Sequence, residues 1–401
     1  MIGKFALFSI IFLILSTTHK VQAMEHKLCP YIVADFGMEY AQNYLAASIV
    51  LDEMWAVFPR SEEGEPIFPA YYGGHFFDEE GWLVFKILTS LMAEAESCVF
   101  ADIIKQDCVR VIMVDFSHQE LLDMLDVIQD FVIENPNSEL HIVTWGIDTP
   151  NNKVAVQVQA YNEETETIFK RDVVDSPMVT VEEGSPVKTL RRLEAKVIDS
   201  NTTEHLQPGM RIYIDNSGFS AGYPAVRGPD VGFVTALHGL PLEEQAVRLG
   251  SLNGPLVGDV TIPIRFVGSV DGAFISLHGA DFDQTVDNRT LLHSDMRPAY
   301  GMLLTSVSTP PDGITRTQRN ITVTNSHFSA NFGGGLILVD MIQTTGHALY
   351  GESGGIVFRP IGDDGLVKGV IVGSDAMSVD GQNMFFAWSE DINREINVTQ
   401  K

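Results

Sequence analysis

Cysteine is scarce in this chain: 401 residues hold only Cys29, Cys98 and Cys108. Everything after position 108 folds without a disulfide and rests on its apolar core, which a segment of this length can bury. Cys98 and Cys108 either pair or remain two buried thiols, and Cys29 is then the odd one.

Basic residues are also few. Lys and Arg number 26 against 53 Asp and Glu, a net charge of −27. Such a field repels phosphate backbones and anionic headgroups, which excludes nucleic acid and membrane surfaces as partners. The imbalance is uneven: residues 1–185 carry 10 Lys and Arg against 30 Asp and Glu, a net −20, and the remainder carries −7. Two regions of different character follow, in keeping with the two or three domains that 401 residues suggest.

Long apolar runs are missing except near the start. Lys4 precedes the apolar residues 5–15, and Val21-Gln22-Ala23 offers small residues for cleavage. The run is short for a bilayer span and reads as a secretory signal peptide over residues 1–23, the alternative being a retained anchor. The expected product is secreted and free of the membrane once the signal is removed. No spacing of His, Cys or carboxylates suggests a metal or cofactor. Asp281, Asp283 and Asp287 lack the glycine of a calcium loop at its sixth position, where Val286 stands, and read as a solvated turn.

What remains is ordinary globular material, 45% hydrophobic and 20% charged. Residues 38–58 are rich in helix formers with apolar positions three and four apart, which predicts a helix. Residues 72–77 and 82–88 predict a hairpin about Asp78-Glu79-Glu80-Gly81, and 109–116 a strand. Ser117-His118-Gln119-Glu120 is a capping box that opens a helix over 121–133. A second hairpin is expected from 140–147 and 153–158, then a helix over 163–171. This order predicts an α+β domain. His75, His118 and His141 are scattered along it and are expected to be structural.

From Met210 onward the pattern changes. Short β-branched runs alternate with Gly, Asn and Pro turns, for example at 211–214, 232–236, 259–266, 273–277, 301–307, 356–358 and 367–372. That density predicts an all-β barrel or sandwich, closed by a short helix over 389–396. The sequons at Asn201, Asn288, Asn320 and Asn397 all fall after residue 185, in the C-terminal part of the chain.

The chemistry concentrates at Gly351-Glu352-Ser353-Gly354-Gly355. Glycines around one serine let the backbone turn sharply, expose the hydroxyl and aim two N–H groups at one spot. A plain glycine-rich hairpin turn is the alternative. The pentapeptide also matches the nucleophile elbow of α/β-hydrolases, but those place their histidine after the serine. Here the last histidine is His347. The base must lie upstream, in the order His, Asp, Ser. His238 ends the strand-like run Val231-Gly232-Phe233-Val234-Thr235-Ala236-Leu237, and Asp271 heads the run 270–277.

These three stretches resemble the catalytic blocks of chymotrypsin-like serine proteases, especially the bacterial branch. Ile212-Tyr213, Gly218, Ser220-Ala221-Gly222-Tyr223, Arg227 and Phe233-Val234-Thr235-Ala236 are similar to the start of the mature bacterial enzymes. The segments at 72–84, 145–154 and 175–177 resemble the region preceding the protease in some secreted relatives. The resemblance implies an α+β N-terminal domain followed by an all-β double β-barrel with the site between the barrels. It divides the chain into a signal peptide (1–23), an acidic pro-region or accessory domain (24–183), a linker (184–207) and a chymotrypsin-like domain (208–401). It implies a catalytic triad of His238, Asp271 and Ser353. Gly351 and Ser353 N–H groups would form the oxyanion hole. His347, Ala348, Ser374 and Asp375 would stand on the pocket walls, and a polypeptide would be the substrate.

Three departures are visible. Glu352 stands where the family has Asp, Leu237 where a glycine is common, and Gly239 where a cysteine is common. The leading expectation is a secreted serine endopeptidase that hydrolyses peptide bonds through an acyl-enzyme. A catalytically silent homologue acting as a binding module stays open, as does an esterase-like acyl hydrolase with the same triad.

Overall fold

In the computed structural model, residues 30–62, 64–97, 101–185, 187–189, 206–236, 238, 245–279, 281–310, 315–333, 336–374 and 383–401 are described. The expected signal peptide, Cys29, Cys98, Leu237, Gly239, Asp375 and the sequon at Asn201 lie outside them.

The N-terminal part opens with the helices Pro30–Phe36 and Met38–Val57. Ala41, Tyr44, Ala47, Leu51 and Met54, three and four apart, form the buried side of the second helix. The expected hairpin is present as Tyr72–Phe77 and Leu83–Leu88, and Val109–Val114 adds a parallel strand. Its turn is held by Asp78, whose carboxylate accepts from the amides of Glu80 and Trp82. The capping box closes as its residues predict: Ser117 Oγ accepts from the Glu120 amide while the Glu120 carboxylate accepts from the Ser117 amide. The helix it starts, His118–Glu134, buries Leu121, Leu125, Ile128 and Val132. Ile142–Asp148 and Lys153–Val158 form the second hairpin, and the helix Glu163–Asp172 crosses back to a parallel strand, Val179–Glu183.

Among its described residues the body is β apart from the helix Ser389–Glu395. One half is an eight-stranded sheet around Ile212, Phe219, Phe233, Val247, Val260 and Ile275. The other half belongs to a twelve-stranded sheet and packs about Phe328, Ile356, Phe358, Val370, Val372 and Phe385. The fold is thus an α+β N-terminal part followed by a β-rich body built on two large sheets. Three of the four sequon asparagines, Asn288, Asn320 and Asn397, are exposed. No helix among the described residues is long and apolar enough to cross a membrane.

Two features exceed the sequence reading. The strand Thr317–Gly333 is 17 residues long, with several register shifts against Leu336–Thr345. Its Asn, Ser and Gly residues hide it from any count of β-branched runs. The second feature is that the N-terminal part continues the body's sheet. Phe328, Ser329 and Ala330 pair with Gly146, Trp145 and Thr144. A Cβ on Gly146 would meet the His327 carbonyl, so only glycine lets the strands approach here. Tyr44, Leu51 and Phe77 also share one core with Met302, Ile342 and Phe386.

Candidate active site

The site is assembled from both halves of the body. Asp230–Thr235 and Val270–Leu277 are antiparallel neighbours with Thr235 opposite Ala273. Asp271 lies two residues before Ala273 and His238 three after Thr235, so the two strands deliver both side chains to the same end of the pair. His238 Nδ1 is 2.6 Å from Asp271 Oδ2. Ser353 comes from the other half, in the turn before Ile356–Ile361, and its Oγ lies 3.1 Å from His238 Nε2. The three side chains are nearly enclosed, with Asp271 1%, Ser353 2% and His238 7% exposed. The Phe219 ring meets the His238 ring edge-on at 6.3 Å. The structure therefore brings together the three residues singled out in the sequence.

The halves are joined at this point by backbone. The Ser220 amide donates to the Ser353 carbonyl at 2.8 Å, while within the second half the Gly354 amide donates to the Ile371 carbonyl at 2.8 Å. Gly354 has a φ of 84°, and a Cβ there would meet Thr235 Oγ1 and the Ser220 carbonyl. Both the backbone conformation and the close approach require glycine.

The amides of Glu352, Gly354 and Gly355 donate to carbonyls of Leu349, Ile371 and Glu352. Among the described residues, those of Gly351 and Ser353 donate to no backbone carbonyl. Of the expected pocket residues, Ala348 is enclosed in the core shared with the N-terminal part. Ser374 is buried and its hydroxyl donates to the Asn383 carbonyl. His347 is partly exposed. Lys188–Thr189 lies along this wall, antiparallel to Gly373 and Ser374.

Sequence reasoning missed the residues that hold the nucleophile turn. Glu352 is fully buried and its carboxylate takes three donors: Arg319 Nη1 at 2.7 Å, the Leu349 amide at 2.7 Å and Ser308 Oγ at 3.2 Å. The glutamate's extra methylene is accommodated by these partners. Arg211, also buried, reaches the Gly351 carbonyl from the first half. An arginine heading the inward-packed strand Arg211–Ile214 was a readable sign that a partner was needed. Arg319, in the mixed run Thr317-Gln318-Arg319-Asn320, carried no such sign.

The histidines expected to be scattered are not all so. His118 lies 5.6 Å ring to ring from His327, and both line, with His75, a cavity of about 700 Å3 between the N-terminal part and the body. None of His238, Asp271 and Ser353 lines this cavity. His75 belongs to the strand Tyr72–Phe77, His118 opens the helix His118–Glu134 and His327 lies in Thr317–Gly333. Among the described residues, no group of three or more His, Cys, Asp or Glu could hold a metal ion.

Comparison with known proteins gives two likenesses. Residues 119–184 match the family model described as a Pro-like C-terminal domain. Thermobifida fusca protease A matches at 20% identity over 49% of this chain and 98% of its own, with a TM-score of 0.39. Nocardiopsis protease matches at 18% identity over 49% of this chain and 100% of its own, with a TM-score of 0.37. A Cellulomonas bogoriensis chymotrypsin matches at 20% over 49% and 99%, also with a TM-score of 0.37. No curated protein matches. The chain is thus similar over about half its length to bacterial chymotrypsin-like serine proteases, at 49% coverage, and over residues 119–184 to the Pro-like C-terminal domain.

Proposed function

We propose that this chain is a secreted serine endopeptidase whose catalytic residues are His238, Asp271 and Ser353. One observation carries the reading: the continuous line from Ser353 Oγ through His238 to Asp271, at 3.1 and 2.6 Å. A serine hydroxyl is a weak nucleophile until a base takes its proton. His238 Nε2 accepts that proton as Oγ bonds to the scissile carbonyl carbon. Asp271 holds the imidazole's Nδ1–H and stabilises the cation that forms. The amides of Gly351 and Ser353 receive the negative oxygen, a contribution of about 3 kcal/mol for each donor. Collapse expels the amine, which takes the proton from His238. Water then enters by the same route in reverse and releases the acid. His347 and Ser374 are the described residues proposed for the pocket of the substrate side chain, whereas Ala348, enclosed in the core, does not reach it.

Residues 24–183 serve in this reading as a pro-region that assists folding or blocks the cleft. The strand pairing of Lys188–Thr189 with Gly373 and Ser374, and the match to a Pro-like domain, support it. Reaction with a fluorophosphonate probe, followed by mapping of the labelled residue, tests the triad. A label on Ser353 that is lost in Ser353→Ala is expected. A stable, folded chain that takes no label at Ser353 would overturn the reading in favour of a silent binding module.

A further inference from the structure

The residue that remains unused is Arg211. Its guanidinium is 6% exposed and sits beneath the nucleophile turn. Nη1 donates to the Gly351 carbonyl at 2.9 Å. Nη2 donates to the Thr309 carbonyl at 2.7 Å and also to that of Pro310. Ser220 completes the arrangement: its hydroxyl donates to the Gly351 carbonyl and accepts from the Thr309 amide, both at 3.0 Å. Three segments therefore converge on one side chain: the first strand of the body, the chain leaving Leu303–Ser308, and the turn that bears Ser353.

The Gly351 carbonyl is a telling place for such an anchor. The peptide plane between Gly351 and Glu352 lies between two others, one carrying the Gly351 amide and the next carrying the Ser353 amide. Fixing the middle plane fixes the directions of both. Gly351 has a φ of 84°, and a Cβ there would run into the Arg211 guanidinium. The turn thus requires glycine, and glycine by itself selects no single conformation. Something outside the turn must choose one. A planar fork that can hold carbonyls of two segments at once does so, whereas an ammonium on a flexible stem supplies only a point charge.

We propose that Arg211 is a positioning residue for the oxyanion hole, holding the Gly351–Glu352 peptide so that the Gly351 and Ser353 amides face the reacting carbonyl. The proposal rests on the serine endopeptidase reading of the site. It assigns to Arg211 an effect on the transition state and none on substrate binding.

The test uses the full chain with Arg211→Met and, as a milder change, Arg211→Lys. With peptide substrate, kcat per folded molecule is expected to fall about 100-fold in Arg211→Met, as for loss of one oxyanion donor, and less in Arg211→Lys, with KM nearly unchanged. Affinity for a peptide boronate, which mimics the tetrahedral state, should fall in the same proportion. Free guanidinium ion should restore part of kcat in Arg211→Met. A role confined to stability would lower the unfolding midpoint while leaving kcat per folded molecule within about threefold, and that outcome would overturn the proposal.

A structural arm separates this from failure of the endopeptidase reading. Structures of Ser353→Ala with and without Arg211→Met should differ in the direction of the Gly351 carbonyl. If the carbonyl keeps its direction, the proposal is wrong whatever the activity. If it turns but the unsubstituted chain takes no fluorophosphonate at Ser353, then the endopeptidase reading has failed, and with it the catalytic role of Arg211.

Discussion

Arg319 Nη1 lies 2.7 Å from Glu352 Oε1, and that carboxylate is completely enclosed next to Ser353. A charge buried in this way is tolerable only while its donors are in place. Removing one partner leaves the other uncompensated, at a cost of about 3–5 kcal/mol. Arg319→Met is therefore expected to lower the unfolding free energy by about 3 kcal/mol, discounted from the upper figure because Arg319 is partly exposed and water can replace it. Urea titration measures this. Glu352→Gln, which removes the charge but keeps the shape, should cost less. If Arg319→Met proved neutral, the carboxylate would not depend on this pair.

Gly354→Ala should fail for reasons of both conformation and space. The φ of 84° disfavours any side chain, and the added carbon would meet Thr235 Oγ1, the Ser220 carbonyl and the Ala236 amide. Backbone atoms cannot give way as a flexible side chain can. The expected result is a loss of about 2–4 kcal/mol in stability and a marked loss of Ser353 labelling. Unfolding and probe kinetics on the same preparation would read both. A variant as stable and reactive as the original would show that the halves do not pack closely here.

Much of this architecture was readable in the chain. The capping box at Ser117, both N-terminal hairpins and the helix after Asn162 depend on neighbours in sequence, and local chemistry determines them. The meeting of His238, Asp271 and Ser353 was readable because each ends or begins an apolar strand, where side chains are delivered to an edge. What escaped was long-range. Arg319 meets Glu352 across 33 positions and Arg211 meets Gly351 across 140, and no local pattern records such a meeting. The pairing of Ile142–Asp148 with Thr317–Gly333 escaped for the same reason. The change in charge near residue 185 suggested a boundary, but the strands and the core run across it.

Acid should loosen the N-terminal part. Burial pushes His75 down to about 4 and His118 well below the ordinary histidine range, and His327 is lowered by burial and then by the Arg297 charge. An unfolded histidine titrates near about 6.5. Between pH 6.5 and 4 the unfolded chain therefore binds more protons than the folded one. Stability is intact above about 6.5 and falls below it; His75, held down to about 4, contributes about 1.4 kcal/mol per pH unit through this window, and His118 and His327 add in the same direction. Asp391, raised to about 6 by burial, has the opposite sign and offsets part of the decline. A net decline of the urea midpoint from pH 7 to 5 is expected, with a shallower decline in His118→Gln. An unchanged midpoint over that range would contradict these assignments.

Processing of the chain offers the last prediction. The pro-region reading requires a cut between the N-terminal part and the body. Leu190-Arg191-Arg192-Leu193, outside the described residues, offers a dibasic site shortly after Lys188–Thr189. Lys188–Thr189, immediately before this site in sequence, pairs with Gly373 and Ser374. Cleavage there would not by itself release residues 24–183. Strand pairing at Gly146 and a shared core hold them to the body, and a nicked chain should keep its two pieces together at neutral pH. Three measurements on secreted material follow: N-terminal sequencing, size-exclusion at pH 7 and at pH 5, and the same for Ser353→Ala. New N termini between residues 192 and 211 are expected, with both pieces co-eluting at pH 7 and separating more readily at pH 5. Ser353→Ala should stay intact if the cut is made by the chain itself. Full activity in a chain that begins near Met24 and is nowhere cut would show instead that residues 24–183 are a permanent accessory domain.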